Sequence, residues 1–89
     1  MRVLWPPTTV REVWRIHDYI REFNPRAAAH LADRLFKAGA SLSTHPHRGR
    51  PVPGTNLREL LVVYPYIIRY EVVGDEVHIL RVRHGMRLQ

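Results

Sequence analysis

The sequence predicts a small α+β domain: a short N-terminal strand, an antiparallel helical hairpin, then a three-stranded antiparallel sheet with both helices on one face. Three observations carry this. Apolar residues recur at helical spacing from Val10 to Phe23 and again from Ala28 to Leu42. The segments 57–64, 66–73 and 77–83 are dense in β-branched and aromatic residues. Between these halves runs a stretch rich in Pro, Gly, His and Arg that suits neither element. The 89 residues leave room for one domain, 1–89. A chain of this length buries roughly 60–65% of its unfolded surface, so a partner can add usefully to its stability.

Each element has its own signals. Arg2 to Trp5 reads as the opening strand, stopped by Pro6-Pro7, which cannot donate ladder hydrogen bonds. Thr9-Val-Arg-Glu12 reads as a capping box that starts the first helix. Its apolar stripe is Val10, Val13, Trp14, His17, Ile20 and Phe23, widened by Ile16 and Tyr19. Asn24 caps the second helix, with Pro25 at the first helical position, where a missing N–H costs nothing. Ala28, Leu31, Ala32, Leu35, Phe36 and Leu42 form its stripe. Residues 43–56 read as a loop, and Gly74-Asp75 as a tight turn between the last two strands.

Alternation assigns the faces of the sheet. Arg69 and Glu71 fall opposite Tyr66, Ile68, Tyr70 and Val72. In the last strand His78, Leu80, Val82 and His84 fall on one side, with Arg81 and Arg83 on the other. Arg58 is left unplaced, because strand ends and bulges shift parity. The expected working surface is therefore an open, arginine-bearing sheet face, rimmed by the loop at Arg48 and Arg50.

Charge points the same way. Fourteen Lys and Arg stand against eight acids, for a formal charge of +6, and Lys37 is the single lysine. Arginine grips phosphate or carboxylate through two parallel N–H bonds, so this surface suits nucleic acid or an acidic protein segment. There is no cysteine, hence no disulfide framework and no thiolate chemistry. The longest apolar run, residues 60–68, is too short to span a bilayer and contains Pro65. These features lead to the expectation of a soluble, cytoplasmic protein without a membrane partner.

Few side-chain groupings suggest chemistry. His45-Pro-His47 lacks the third and fourth ligands of a zinc site, and no metal or cofactor is expected. His17, on an apolar stripe, reads as a packed core-edge histidine. His84-Gly-Met-Arg87 is more suggestive: a histidine beside arginines suits acid/base work on a phosphodiester, with the cations neutralising developing charge. The same residues also read as a packed strand end and a solvated tail.

The series Gly49-Arg-Pro, Leu57-Arg-Glu-Leu, Tyr66-Ile-Ile-Arg-Tyr and Val77-His-Ile-Leu-Arg-Val-Arg-His-Gly-Met-Arg87 resembles the RelE/ParE toxin superfamily. Asn24-Pro-Arg-Ala-Ala at the second helix agrees, and the resemblance spans essentially the whole chain. It implies a growth inhibitor neutralised by a cognate antitoxin whose C-terminal segment folds on binding. It also implies one of two targets. ParE-like members poison DNA gyrase and need no catalytic residues. RelE-like members are metal-independent endonucleases that cut mRNA in the ribosome.

Three features resemble the ParE branch: the His84-Gly-Met-Arg87 ending, a loop without lysines, and no tyrosine after His84. On the gyrase reading Arg48, Arg50, Arg58, Arg69, Arg81, Arg83 and Arg87 are candidates for binding target or antitoxin. On the nuclease reading His84, Arg58 and Arg87 are the catalytic candidates.

Overall fold

The computed structural model describes residues 1–85. Strand β1 (Arg2–Leu4) leads into helices α1 (Pro7–Arg21) and α2 (Pro25–Ser41). Strands β2 (Arg50–Pro51), β3 (Leu57–Val63), β4 (Tyr66–Val73) and β5 (Glu76–His84) follow. The sheet order is β1-β5-β4-β3-β2. The three antiparallel strands expected from the sequence form its centre. β1 adds in parallel to β5, and β2 adds antiparallel to β3, so the whole is a five-stranded mixed sheet. β2 lies within the stretch read as loop. Its two residues, one of them a proline, are tolerable only as an edge strand.

The hairpin begins differently from expectation at one end and as expected at the other. α1 starts at Pro7, ahead of the proposed capping box, because Pro6-Pro7 presets a helical entry. Thr9 is buried and its hydroxyl donates back to the Pro6 carbonyl at 2.6 Å, so it caps nothing. Glu12 is thereby released for another role, described below. At α2 the Asn24 side chain accepts from the Ala27 amide at 3.0 Å, satisfying one of the amides a helix start leaves open.

The core sits between the hairpin and one sheet face. Val13, Leu31, Leu35 and Leu42 meet Leu60, Ile68, Tyr70, Val77, Ile79 and Val82. The α2 stripe is buried as read except at Phe36, which is half-buried. The α1 stripe is narrower than its sequence suggests: Trp14, Tyr19 and Phe23 are 46%, 56% and 75% exposed. Trp14 still packs against Phe36, which in turn packs against Trp5. His17 is half-buried, edge-on to Trp14 and 3.0 Å from the Asp18 carboxylate, as expected of a core-edge histidine.

One bulge alters the assigned faces. Arg69 pairs with Arg81 but Tyr70 pairs with Ile79, so Leu80 has no opposite residue on β4. Parity reverses there. Val77 and Ile79 point into the core before the bulge, and Val82 does so after it. His78 and Leu80 therefore do not share a face with Val82 and His84, and Leu80 is 37% exposed. Arg81 and Arg83 keep the outward parity read from sequence.

Candidate functional site

The antiparallel register carries one row of charge across four strands. Arg50 pairs with Glu59, Glu59 with Arg69, and Arg69 with Arg81. Glu59 is only 8% exposed, yet it lies on the side of the sheet away from the helices. Arg69 covers it, donating to Oε2 from Nε at 3.0 Å and from Nη2 as well. Arg50 approaches the other oxygen from its exposed position, at 3.8 Å. A buried carboxylate is tolerable only when so paired. The next row runs from Leu61 through Ile67 to Arg83.

Arg81 finds its partner at the sheet edge. β1 pairs only with residues 76–78 of β5, so the far half of that edge has no strand beside it. There Glu12 reaches from α1, accepting from the Val82 amide at 2.8 Å and from Arg81 Nε at 2.8 Å. It closes an unpaired edge amide and neutralises a cation together. Arg83 has no ion pair among the described residues. Its Nε is shut away from solvent without a hydrogen-bond partner. Burial, then repulsion from Arg69 and Arg81, pushes its pKa below the usual arginine value, partly opposed by Glu59 and Glu12.

Two open depressions flank these arginines, each of about 550 Å³. One lies over Leu61, Pro65 and Ile67, rimmed by Arg48 and Arg50. The other lies between α1 and the uncovered stretch of β5, where Ile16, Tyr19 and Tyr66 meet Arg81 and Arg83.

The loop is shaped from inside the core. The fully buried Tyr70 donates its hydroxyl to the Pro46 carbonyl at 2.8 Å and accepts from the Gly49 amide at 2.8 Å. Arg58 Nη1 donates to the Gly49 carbonyl at 2.8 Å and the His47 carbonyl at 3.4 Å. Arg48 Nη1 donates to Ser41 Oγ at the end of α2, at 2.8 Å. Arg48 and Arg58 thus support the loop locally. His45 hydrogen-bonds Thr44, and no group of three or more potential metal ligands forms among the described residues.

Of the nuclease candidates, Arg58 and His84 are not gathered at one point. Arg58 pairs with Tyr70, and Tyr70 with Ile79. At about 3.3 Å per residue, His84 lies roughly 15 Å further along β5. His84 stacks edge-on against Tyr66, with ring centroids 5.3 Å apart. Arg87 lies outside the described residues. The structure brings together Arg50, Arg69, Arg81 and Arg83, with Arg48 on the adjacent rim. Sequence reasoning missed Glu59 and Glu12. Glu59 shares the outward parity of Arg69 only through a register the sequence does not display, and Glu12 was absorbed into the capping reading.

The family described as ParE toxin of type II toxin–antitoxin system, parDE, matches residues 3–89. The chain belongs to this family. It is a toxin of the wider RelE/ParE superfamily. Among curated relatives it is similar to Toxin RelE2 of Caulobacter vibrioides, 47% identical over 98% of either chain. It also resembles Toxin RelE1 of the same organism, 39% identical over 85% of this chain and 84% of that one. A putative toxin, Y4kP of Sinorhizobium fredii, is 37% identical over 94% and 88%. The fold matches a chain from the solved chromosomal ParDE TA system from P. aeruginosa, with a TM-score of 0.81. That match covers 94% of this chain and 95% of the other at 22% identity, and so speaks to the fold. No helix among the described residues is long and apolar enough to cross a membrane.

Proposed function

We propose that this chain is a growth inhibitor that poisons DNA gyrase and is held in check by a cognate antitoxin. The antitoxin's C-terminal segment would fold as it covers the toxin. The observation that carries the gyrase reading is the separation of Arg58 from His84, with the Arg58 guanidinium occupied by loop carbonyls. General acid/base cleavage of a phosphodiester needs its proton donor and its charge-stabilising cations around one phosphate. Here the arginines instead form a broad surface on the open sheet face, which suits the grip of one protein on another. Family membership and the ParE description support the same reading.

The test is a supercoiling assay on plasmid DNA with purified gyrase and the folded chain. Loss of supercoiling with ATP-dependent linear product is expected, weakened by Arg81→Gln and Arg83→Gln. An unaffected gyrase, together with His84-dependent cutting of ribosome-bound mRNA, would place the chain with the endonucleases instead.

A further inference from the structure

The solvent side of α1 carries a charged stripe. Arg11, Arg15, Asp18 and Glu22 follow one another at intervals of four, three and four residues, and all four are exposed. At 3.6 residues per turn they fall within about 60° of one another around the helix. Exposed Trp14 and Tyr19 flank the stripe, one on either side. Trp14 packs on Phe36 of α2, and Tyr19 borders the cleft beside β5.

The order of charges is unfavourable within one helix. Arg11 and Arg15 are like charges one turn apart, and so are Asp18 and Glu22. Glu22 also sits at the C-cap, where the helix macrodipole disfavours an anion. Arg15 and Asp18 have opposite signs, yet the Asp18 carboxylate meets His17 instead, at 3.0 Å. Among the described residues Arg11, Arg15 and Glu22 take part in no ion pair.

Reversed in direction, the same order is its own complement. An antiparallel copy of α1 brings Glu22 opposite Arg11 and Asp18 opposite Arg15. One register closes both pairs, because each arginine lies as far before the midpoint of Ile16 and His17 as its partner lies after it. A two-fold axis through that point repeats both pairs, which is the self-complementarity an isologous dimer needs. The axis also sets Trp14 beside its counterpart on one flank and Tyr19 beside its counterpart on the other, so exposed rings are covered together. A nucleic-acid strand or a wholly acidic segment would instead be repelled by Asp18 and Glu22.

We infer that the outer face of α1 is a homodimer interface, in which Arg11 pairs with Glu22, and Arg15 with Asp18, of a second, antiparallel copy. Arg11, Trp14, Asp18 and Glu22 lie outside the cleft between α1 and β5. The inference is independent of which target the toxin acts on.

Sedimentation velocity on the purified full chain tests it, at concentrations up to about 100 µM, as suits a small interface rich in exposed charge. The unaltered chain is expected to dimerise in that range, and the dimer to weaken as salt rises. Arg15→Glu and Asp18→Arg each set like charges opposite one another twice, by symmetry. Each should weaken self-association about tenfold or more. An equimolar mixture of the two restores opposite signs at every contact and should dimerise again. Arg11→Glu mixed with Glu22→Arg is a second matched couple, clear of the cleft. Arg11→Glu mixed with Asp18→Arg is mismatched in this register and should not recover the dimer.

Far-UV circular dichroism checks that each variant keeps its helices. If a variant of the first couple does not, the second couple carries the comparison. A chain that stays monomeric throughout the range overturns the inference. So do variants that dimerise as well as the unaltered chain, matched couples that stay monomeric with their helices intact, and recovery by the mismatched couple equal to that by the matched ones.

Discussion

The hydroxyl of Tyr70 accepts a hydrogen bond from the Gly49 amide at 2.8 Å, tying the loop before β3 to the centre of the sheet. Tyr70 is fully buried and also donates to the Pro46 carbonyl, so one side chain serves two loop backbone groups. Tyr70→Phe leaves the Gly49 N–H inside without a partner. The expected loss is about 1–3 kcal/mol of folding stability, read by urea denaturation. An unchanged midpoint would show that the loop is held mainly by Arg58.

Gly49 is constrained by the same contact from the other side. A Cβ there would stand 2.8 Å from the Tyr70 ring and hydroxyl and 2.9 Å from the Glu59 carbonyl. Backbone on one side and a fully buried ring on the other leave little to yield. Gly49→Ala is expected to destabilise the fold by about 1–3 kcal/mol, the usual range for overpacking. A thermal melt indistinguishable from the unaltered chain would refute the close approach.

Glu59 is the counter-charge for Arg69 and, more loosely, Arg50. Glu59→Gln keeps the shape but leaves Arg69 partly buried and unneutralised. Complete burial of such a broken pair costs about 3–5 kcal/mol. Arg69 is a quarter exposed, so about 2–3 kcal/mol is expected here. Adding Arg69→Met should recover part of the loss, since removing both charges is cheaper than removing one. Strictly additive losses in that double-mutant cycle would mean the pair contributes nothing.

Glu12 joins α1 to the open edge of β5 through the Val82 amide and Arg81. Glu12→Ala is expected to cost about 1–2 kcal/mol. The sharper readout is local: amide hydrogen exchange at Val82 should speed up well beyond the change at Ile68 in the central strand. Uniform acceleration across both strands would mean that Glu12 acts only on global stability.

The fold was largely legible because its signals are local. Asn24-Pro25 announces the second helix through backbone chemistry that operates within a few residues. The Ala28 to Leu42 stripe and the three β-rich runs likewise need no partner to be recognised. The α1 boundary was misread because Thr9 and Glu12 have the spacing of a capping box, while the prolines before them had already started the helix. β2 escaped because its two residues form a strand only by lying along β3.

Sequence alone determined the class of domain and its basic, arginine-rich character, since composition and short-range periodicity suffice for these. Tertiary structure alone decided what the described arginines of the sheet touch. The β4–β5 bulge set the final orientation of His78 and Leu80, and the register brought Glu59 between Arg50 and Arg69. The uncovered edge of β5 gave Glu12 its place. Among the described residues Arg83 stayed without a counter-charge, because pairing depends on distance across strands and elements, which the order of residues along the chain does not encode.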